Sequence, residues 1–219
     1  MNNKYLNKDL AIVIPAFNEE KTIESILTKA NLYGFTIVID DASIDNTIKI
    51  ANSNSGYLIK NSNNIGYNNS INKGINKAIN LGFKYIITID ADGELPVNKI
   101  PKFIEKLENG YDLVIGNRNK KNRYVESLFS FLSKKTYGIN DPLCGMKGYS
   151  SKKISNLKMK SSYDSIGTEI AFRLANEKIK FINININVKR RLGNSRFGCS
   201  LKSNLMIIYA MIMSILIKF

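Results

Sequence analysis

The 219-residue chain contains no histidine, and it has only two cysteines and four prolines. Without histidine there is no imidazole to move protons near neutral pH and no imidazole metal ligand. The two cysteines, Cys144 and Cys199, lie far apart in sequence, which is neither a disulfide framework nor a zinc pattern. Any metal must then be held by oxygens, which favours Mg²⁺ or Mn²⁺. Acidic residues are also scarce: 18 against 32 basic ones, a net charge of +14. That surplus fits an anionic partner (nucleic acid, lipid headgroups or a phosphorylated substrate), or a solvated basic surface in a lysine-rich composition. Nucleic acid is not expected, because no dense Arg/Lys tract, zinc pattern or RNP-like aromatic run is present. A Walker A loop and a G-x-G-x-x-G fingerprint are missing too, which disfavours P-loop NTPases and dinucleotide-dependent oxidoreductases.

Long apolar runs are few. The first residues, Met1-Asn2-Asn3-Lys4-Tyr5, carry no apolar signal region, so export by that route is not expected. Residues 205–217 are apolar except for Tyr209 and Ser214. Thirteen helical residues at ~1.5 Å each reach only about 20 Å, short of a hydrocarbon core of about 30 Å. This tail (199–219) is expected to be a helix that packs on the domain or lies in a membrane interface, with residues 1–198 forming one α/β domain.

What is present is an alternation of strands and helices. Apolar runs at 10–15, 36–39, 56–60, 85–89 and 112–115 predict buried strands. Helical spacing predicts the elements between them, for instance Ile23, Ile26, Leu27 and Ala30, or Ile71, Ile75, Ala78 and Ile79. The first of these is expected to start at Asn18-Glu19-Glu20, and the helix carrying Ile44, Ile48 and Ala51 to be capped by Ser43. Further on, 124–137 reads as a helix, Ile170 to Ala175 as another, and the Ile/Asn alternation at 181–188 as a half-exposed strand. The pattern is that of a mostly parallel sheet covered on both faces.

In such sheets, ligands bind beyond the carboxyl ends of the strands. Three polar clusters fall there: 15–19, Asp40-Asp41, and Asp90-Ala91-Asp92-Gly93-Glu94. Each alone could be a capped turn; three at successive strand ends are harder to explain that way. Asp90 and Asp92 at the end of a buried strand repel each other, an arrangement that becomes favourable with a divalent cation between them and a phosphate. Gly93 lets the backbone turn closely and Glu94 adds a third possible oxygen ligand. An EF-hand loop starting at Asp90 is excluded, since its bidentate glutamate would fall on Pro101.

Taken together, Ile12-Val13-Ile14-Pro15-Ala16-Phe17-Asn18-Glu19, Val38-Ile39-Asp40-Asp41-Ala42-Ser43-Ile44-Asp45, Asn64-Ile65-Gly66 and Ile87-Thr88-Ile89-Asp90-Ala91-Asp92-Gly93 resemble the successive motifs of family 2 glycosyltransferases. Within that family the chain is similar to the polyprenyl-phosphate sugar transferase branch, such as dolichyl-phosphate mannose synthases. Asp141-Pro142-Leu143-Cys144-Gly145-Met146-Lys147 resembles that branch's Asp-x-x-x-Gly-Phe-Arg stretch, and Arg191-Leu192-Gly193-Asn194-Ser195-Arg196 its Arg-x-x-Gly-x-Ser-Lys motif. The resemblance implies a GT-A fold, a nucleoside diphosphate sugar donor, Mg²⁺ or Mn²⁺, and inversion at the anomeric carbon. By position it implies that Pro15, Phe17, Glu19, Ile39, Asp41, Asp90 and Ala91 line the nucleotide site. Asp90, Asp92 and Glu94 would hold metal and diphosphate, while Arg118, Arg123, Arg191, Ser195 and Arg196 would face phosphates.

Two acceptors stay open. A lipid phosphate is already anionic and needs positioning by arginines such as Arg118 rather than a strong base; the positive charge and apolar tail fit one at the cytoplasmic face of a membrane. A glycan hydroxyl needs a base within hydrogen-bond reach, for which Asp141 is the candidate. A catalytically weak sugar-nucleotide-binding scaffold is the remaining reading. The base of the nucleotide, UDP or GDP, the sugar and the oligomeric state are not legible in the sequence.

Overall fold

A computed structural model describes residues 7–121, 123–157, 165–177, 179–189 and 201–216. Seven strands form one sheet in the order β3-β2-β1-β4-β6-β5-β7. They are β1 (Leu10–Ala16), β2 (Phe35–Asp40), β3 (Tyr57–Lys60), β4 (Tyr85–Thr88), β5 (Leu113–Arg118), β6 (Lys147–Ser150) and β7 (Phe181–Ile186). All neighbours are parallel except β6, which runs antiparallel between β4 and β5.

Helices cover both faces, as a sheet of near-continuous apolar strands requires. The side chains of β1 divide by parity. Leu10, Ile12 and Ile14 enter one apolar layer with α1 (Ile23–Ala30), α2 (Thr47–Asn54) and α4 (Ile100–Glu108). Ala11 and Val13 enter the other, with α3 (Tyr67–Asn80), α5 (Tyr124–Tyr137), α7 (Ile166–Asn176) and α8 (Leu201–Leu216). A short helix, α6 (Ser151–Ile154), follows β6 directly. Fully burying each such Ile, Leu or Val contributes about 1.5–3 kcal/mol, so the period-two pattern of β1 fixes which face each helix must cover.

The structure corrects the expected sequence boundaries in four places. Asn18 does not start α1: its φ is +54°, and the chain turns there before Ile23 begins the helix. The cap of α2 is Asn46 rather than Ser43; the Ser43 hydroxyl instead accepts from Asn18 N at 2.9 Å. Strand β5 continues past Ile115 to Arg118 because β7 pairs with it as far as Ile186, so Gly116, Asn117 and Arg118 are strand residues. Finally, β6 was not expected. Its four residues, Lys147-Gly148-Tyr149-Ser150, show no apolar run, and the strand exists because β4 and β5 flank it.

Helix α8 packs on α5, and the Tyr137 hydroxyl donates to Ser214 O at 2.8 Å. Ala210 and Met211 of α8 are buried in the same apolar layer as Phe129 and Phe172. No helix among the described residues is long and apolar enough to cross a membrane.

Candidate active site

The carboxyl ends of β1, β2 and β4 meet at one edge of the sheet. Loops after β1 and β2 clasp each other through side chain to backbone bonds. Ile44 N donates to Asn18 Oδ1 at 2.9 Å, Glu19 N to Thr47 Oγ1 at 2.7 Å, and Glu20 N to Asp45 Oδ2 at 3.2 Å. Burial would raise the Asp45 pKa, but the bonds from Thr47 and Glu20 outweigh it and hold the carboxyl below its ordinary value. Ala42 sits at φ +64°, a left-handed conformation costing roughly 1–2 kcal/mol for a non-glycine residue.

Asp41 is the knot of this region. Its carboxylate accepts from Asn61 Nδ2 and from the backbone N–H groups of Ile65 and Gly66, each at 2.9 Å. The Asn64-Ile65-Gly66 motif is thereby pinned to the end of β2, and helix α3 starts immediately after it. Three N–H groups leave one of about four acceptor positions on the carboxylate open. Pro15 and Ile39 are strand residues beside this loop system; Glu19 is buried at its floor.

Asp90, Ala91 and Asp92 follow β4. The Tyr67 hydroxyl donates to Asp90 Oδ1 at 2.7 Å, and Asp92 Oδ1 accepts from Glu94 N at 3.0 Å. Thr22 donates to Ala91 O at 2.6 Å, fixing the middle of the motif to the first helix. Gly93 makes the tight turn at φ +79°. Burial, then the charge of Asp92, raises the Asp90 pKa to about 6. A buried carboxyl pressed by a second one is the donor set that a hard cation relieves, so Asp90 and Asp92 fit as an oxygen pair for Mg²⁺ or Mn²⁺. Among the described residues no three acidic side chains gather into a metal cage, so Glu94 is not brought into a cluster with the pair.

Arg118, at the end of β5, grips Asp141 in a fork: Nε to Oδ2 at 2.7 Å and an Nη to Oδ1 at 3.0 Å. It also donates to Glu126 Oε2 at 3.2 Å, and Arg123 lies 3.8 Å from the other Glu126 oxygen. Burial alone would lower the Arg118 pKa; the bonds and charge of Asp141 push it up instead. Asp141 is fully buried with both oxygens engaged. This is the geometry of an arginine anchor, unlike that of a base reaching for a hydroxyl.

The loop from Asp141 to Gly145 links the two centres. At one end Asp141 holds Arg118; at the other, a Cβ on Gly145 would collide with the Asp90 carboxylate. Only glycine fits there. Sequence reasoning missed Tyr67, Glu126 and Gly145 as site residues. Tyr67 was within reach, since it follows the Asn64-Ile65-Gly66 motif directly; Glu126 and Gly145 acquire their roles only through tertiary contacts. Arg191, Ser195 and Arg196 lie outside the described residues.

Beyond Arg123, the outward side of α5 carries Tyr124, Leu128 and Phe131, and that of α8 carries Leu205, Tyr209 and Ile212, all exposed. Both triplets have the same i, i+4, i+7 spacing, one stripe per helix.

These features are those of a glycosyltransferase architecture, and the comparisons agree. The model of the glycosyl transferase family 2 domain matches residues 11–178, and the chain belongs to that family. A protein of Methanocaldococcus jannaschii without assigned activity is 33% identical over 199 residues, covering 81% of this chain and 86% of its own length. A dolichyl-phosphate hexose transferase of Haloferax volcanii is 25% identical over 208 residues, 88% of each chain. Relatives of this kind place the chain beside the polyprenyl-phosphate sugar transferase branch. Glucosyl-3-phosphoglycerate synthase of Mycobacterium tuberculosis, solved with Mn²⁺, UDP and glucosyl-3-phosphoglycerate, superimposes with a TM-score of 0.72 at 18% identity, over 95% of this chain and 80% of that one. At that identity the likeness shows the GT-A fold.

Proposed function

We propose that this glycosyltransferase moves a sugar from a nucleoside diphosphate donor to a polyprenyl phosphate at a membrane surface, with inversion and with Mg²⁺ or Mn²⁺. The observation that carries the reading is the buried Arg118–Asp141–Glu126–Arg123 network, one five-residue loop away from Asp90. Two arginines held by two buried carboxylates form a rigid, charge-balanced wall, and the guanidinium N–H groups not spent on Asp141 and Glu126 would meet an acceptor that arrives already charged. An anionic acceptor oxygen attacks the anomeric carbon without a base, which agrees with the engagement of Asp141 by Arg118.

Bound at Asp90 and Asp92, the cation would supply charge neutralisation for the departing diphosphate. The chain's own residues do the rest. Asp41 and the clasped 17–20 and 43–47 loops hold the nucleoside; Tyr67 and Gly145 fix the Asp90 carboxylate; Arg118 and Arg123 orient the acceptor phosphate. Glu94 remains a candidate to add its charge beside the cation, and Arg191, Ser195 and Arg196 to meet the phosphates.

The exposed apolar stripes of α5 and α8 support contact with a lipid surface, because the α5 stripe begins at Tyr124, next to Arg123. The net charge of +14 adds attraction to anionic headgroups. The test is transfer from UDP- and GDP-sugars with Mn²⁺ or EDTA, with and without polyprenyl phosphate. EDTA-sensitive product on the lipid is expected. Metal-dependent donor hydrolysis that the lipid never accelerates would move the acceptor to a glycan hydroxyl, and folded protein that binds donor without any turnover would favour a scaffold.

A further inference from the structure

Behind Asp90, on the α3 and α7 side of the sheet, lies a cleft of about 50 Å³. It is enclosed by Tyr67, the 142–145 loop, Lys147 and Tyr149 of β6, and the first turn of α7. A water needs roughly 10–15 Å³ by this measure, so the cleft has room for about three or four water-sized groups, the footprint of one small oxyanion.

Its chemistry is one-sided. Lys147 is buried, and its ammonium donates to Pro142 O at 2.9 Å and to Cys144 O. Two carbonyls account for two of its three protons. Tyr149 is also fully buried, and among the described residues its hydroxyl has no partner at hydrogen-bonding geometry; burial pushes its pKa up, the nearby Thr88 hydroxyl eases it down, and Thr88 gives that hydroxyl to Gly145 O at 2.7 Å. These two donors converge. The point where a Gly167 Cβ would stand is 3.5 Å from Lys147 Nζ and 3.7 Å from Tyr149 Oη. Gly167 lies in the first turn of α7, where the N–H groups of Ile166, Thr168 and Glu169 are already taken by Asn68 and Ser165, while the helix dipole still favours negative charge. Asn68 already accepts from Ile166 N at 3.1 Å, on the adjacent residue. No carboxylate lines the cleft. Asp90 and Asp141 influence Lys147 only from outside it. Burial pushes the ammonium pKa down, and an anion at the convergence point would restore the charged form.

We propose that this cleft receives a single oxyanion of carboxylate to phosphate size, carried by the sugar of the donor, through Lys147, Tyr149 and the N-terminus of α7. The proposal rests on the donor site assigned above, since Tyr67 both lines the cleft and holds Asp90. An acidic or phosphorylated sugar would then be preferred over a neutral one.

Calorimetric titration of the full chain with Mn²⁺ tests it. The ligands are UDP-glucose against UDP-glucuronate, GDP-mannose against its uronate, inorganic phosphate alone, and bare UDP and GDP as controls. Roughly tenfold tighter binding of one anionic donor is expected. That preference should vanish in Lys147→Met and shrink severalfold in Tyr149→Phe. If Lys147→Met does not fold, Tyr149→Phe and Gly167→Ala, which fills the convergence point, carry the same comparison. Phosphate binding that depends on Lys147, with no discrimination between sugars, upholds the oxyanion site and assigns its ligand to free phosphate instead of the donor. Nucleotide binding with neither sugar preference nor phosphate binding overturns the proposal while leaving the transferase reading intact. Failure of every nucleotide to bind sinks the donor site, and the phosphate titration still decides the cleft.

Discussion

The two halves of the sheet use carboxylates in opposite ways. Around β1 to β4, acidic side chains accept from backbone N–H groups: Asp41 from Ile65 and Gly66, Asp45 from Glu20 and Thr47, Glu20 from Asn46, and Asp92 from Glu94. Around β5 to β7, acidic side chains hold arginines: Asp141 and Glu126 grip Arg118, and Glu169 grips Arg173 at 2.7 Å. The first arrangement shapes loops while leaving the carboxylate charge available to a cation or a base. The second buries compensated charge pairs that stiffen a wall. One half spends its carboxylates on backbone donors, the other on guanidinium groups.

That contrast can be broken at three points. The largest effect is expected from Asp141→Ala, which leaves Arg118 buried without its fork. Removing one partner of a buried pair costs about 3–5 kcal/mol, read as a fall in the denaturant midpoint; a loss below about 1 kcal/mol would show the wall to be ordinary surface charge. Asp92→Asn should be nearly silent in stability yet lower transfer by roughly 10²–10³-fold, by analogy with removal of a single charge-stabilising group; steady-state turnover with Mn²⁺ checks it. Asp41→Asn comes last. It keeps the size of the side chain but weakens charge-assisted bonds to Ile65 and Gly66, at a cost of about 1.5–3 kcal/mol. Here the distinguishing readout is amide hydrogen exchange: protection should drop at Ile65 and Gly66 and stay unchanged at Arg118.

The same division explains what the sequence could reveal. Strands β1, β2 and β4 are short Ile/Val-rich runs, the last two followed within two residues by Asp and the first by Asn18-Glu19, so both their burial and their polar ends are legible one segment at a time. The clasp between the β1 and β2 loops left traces as well, in the clustered Asn, Ser, Asp and Thr residues, although those read locally as helix caps. Across the loops they serve each other, which moved the starts of α1 and α2. The later half is different. Lys147 opens a buried strand because Pro142 and Cys144 turn their carbonyls toward it, and no local pattern announces that. Asp141 beside Pro142 looks like a turn residue or a base until Arg118, 23 residues earlier, folds onto it. Helix α5 was legible from Tyr124 to Tyr137, but not that the acid in its first turn, Glu126, points inward to two arginines.

The Asp141 to Gly145 loop has a thermodynamic consequence. It touches Arg118 at one end and Asp90 at the other, so a displacement that accommodates one substrate is felt where the other binds. Coupling of that kind is reciprocal: whatever factor donor occupancy applies to acceptor affinity, acceptor occupancy must apply to donor affinity. On the proposed function, a short connection between α5 and β6 would then make the two affinities rise or fall together.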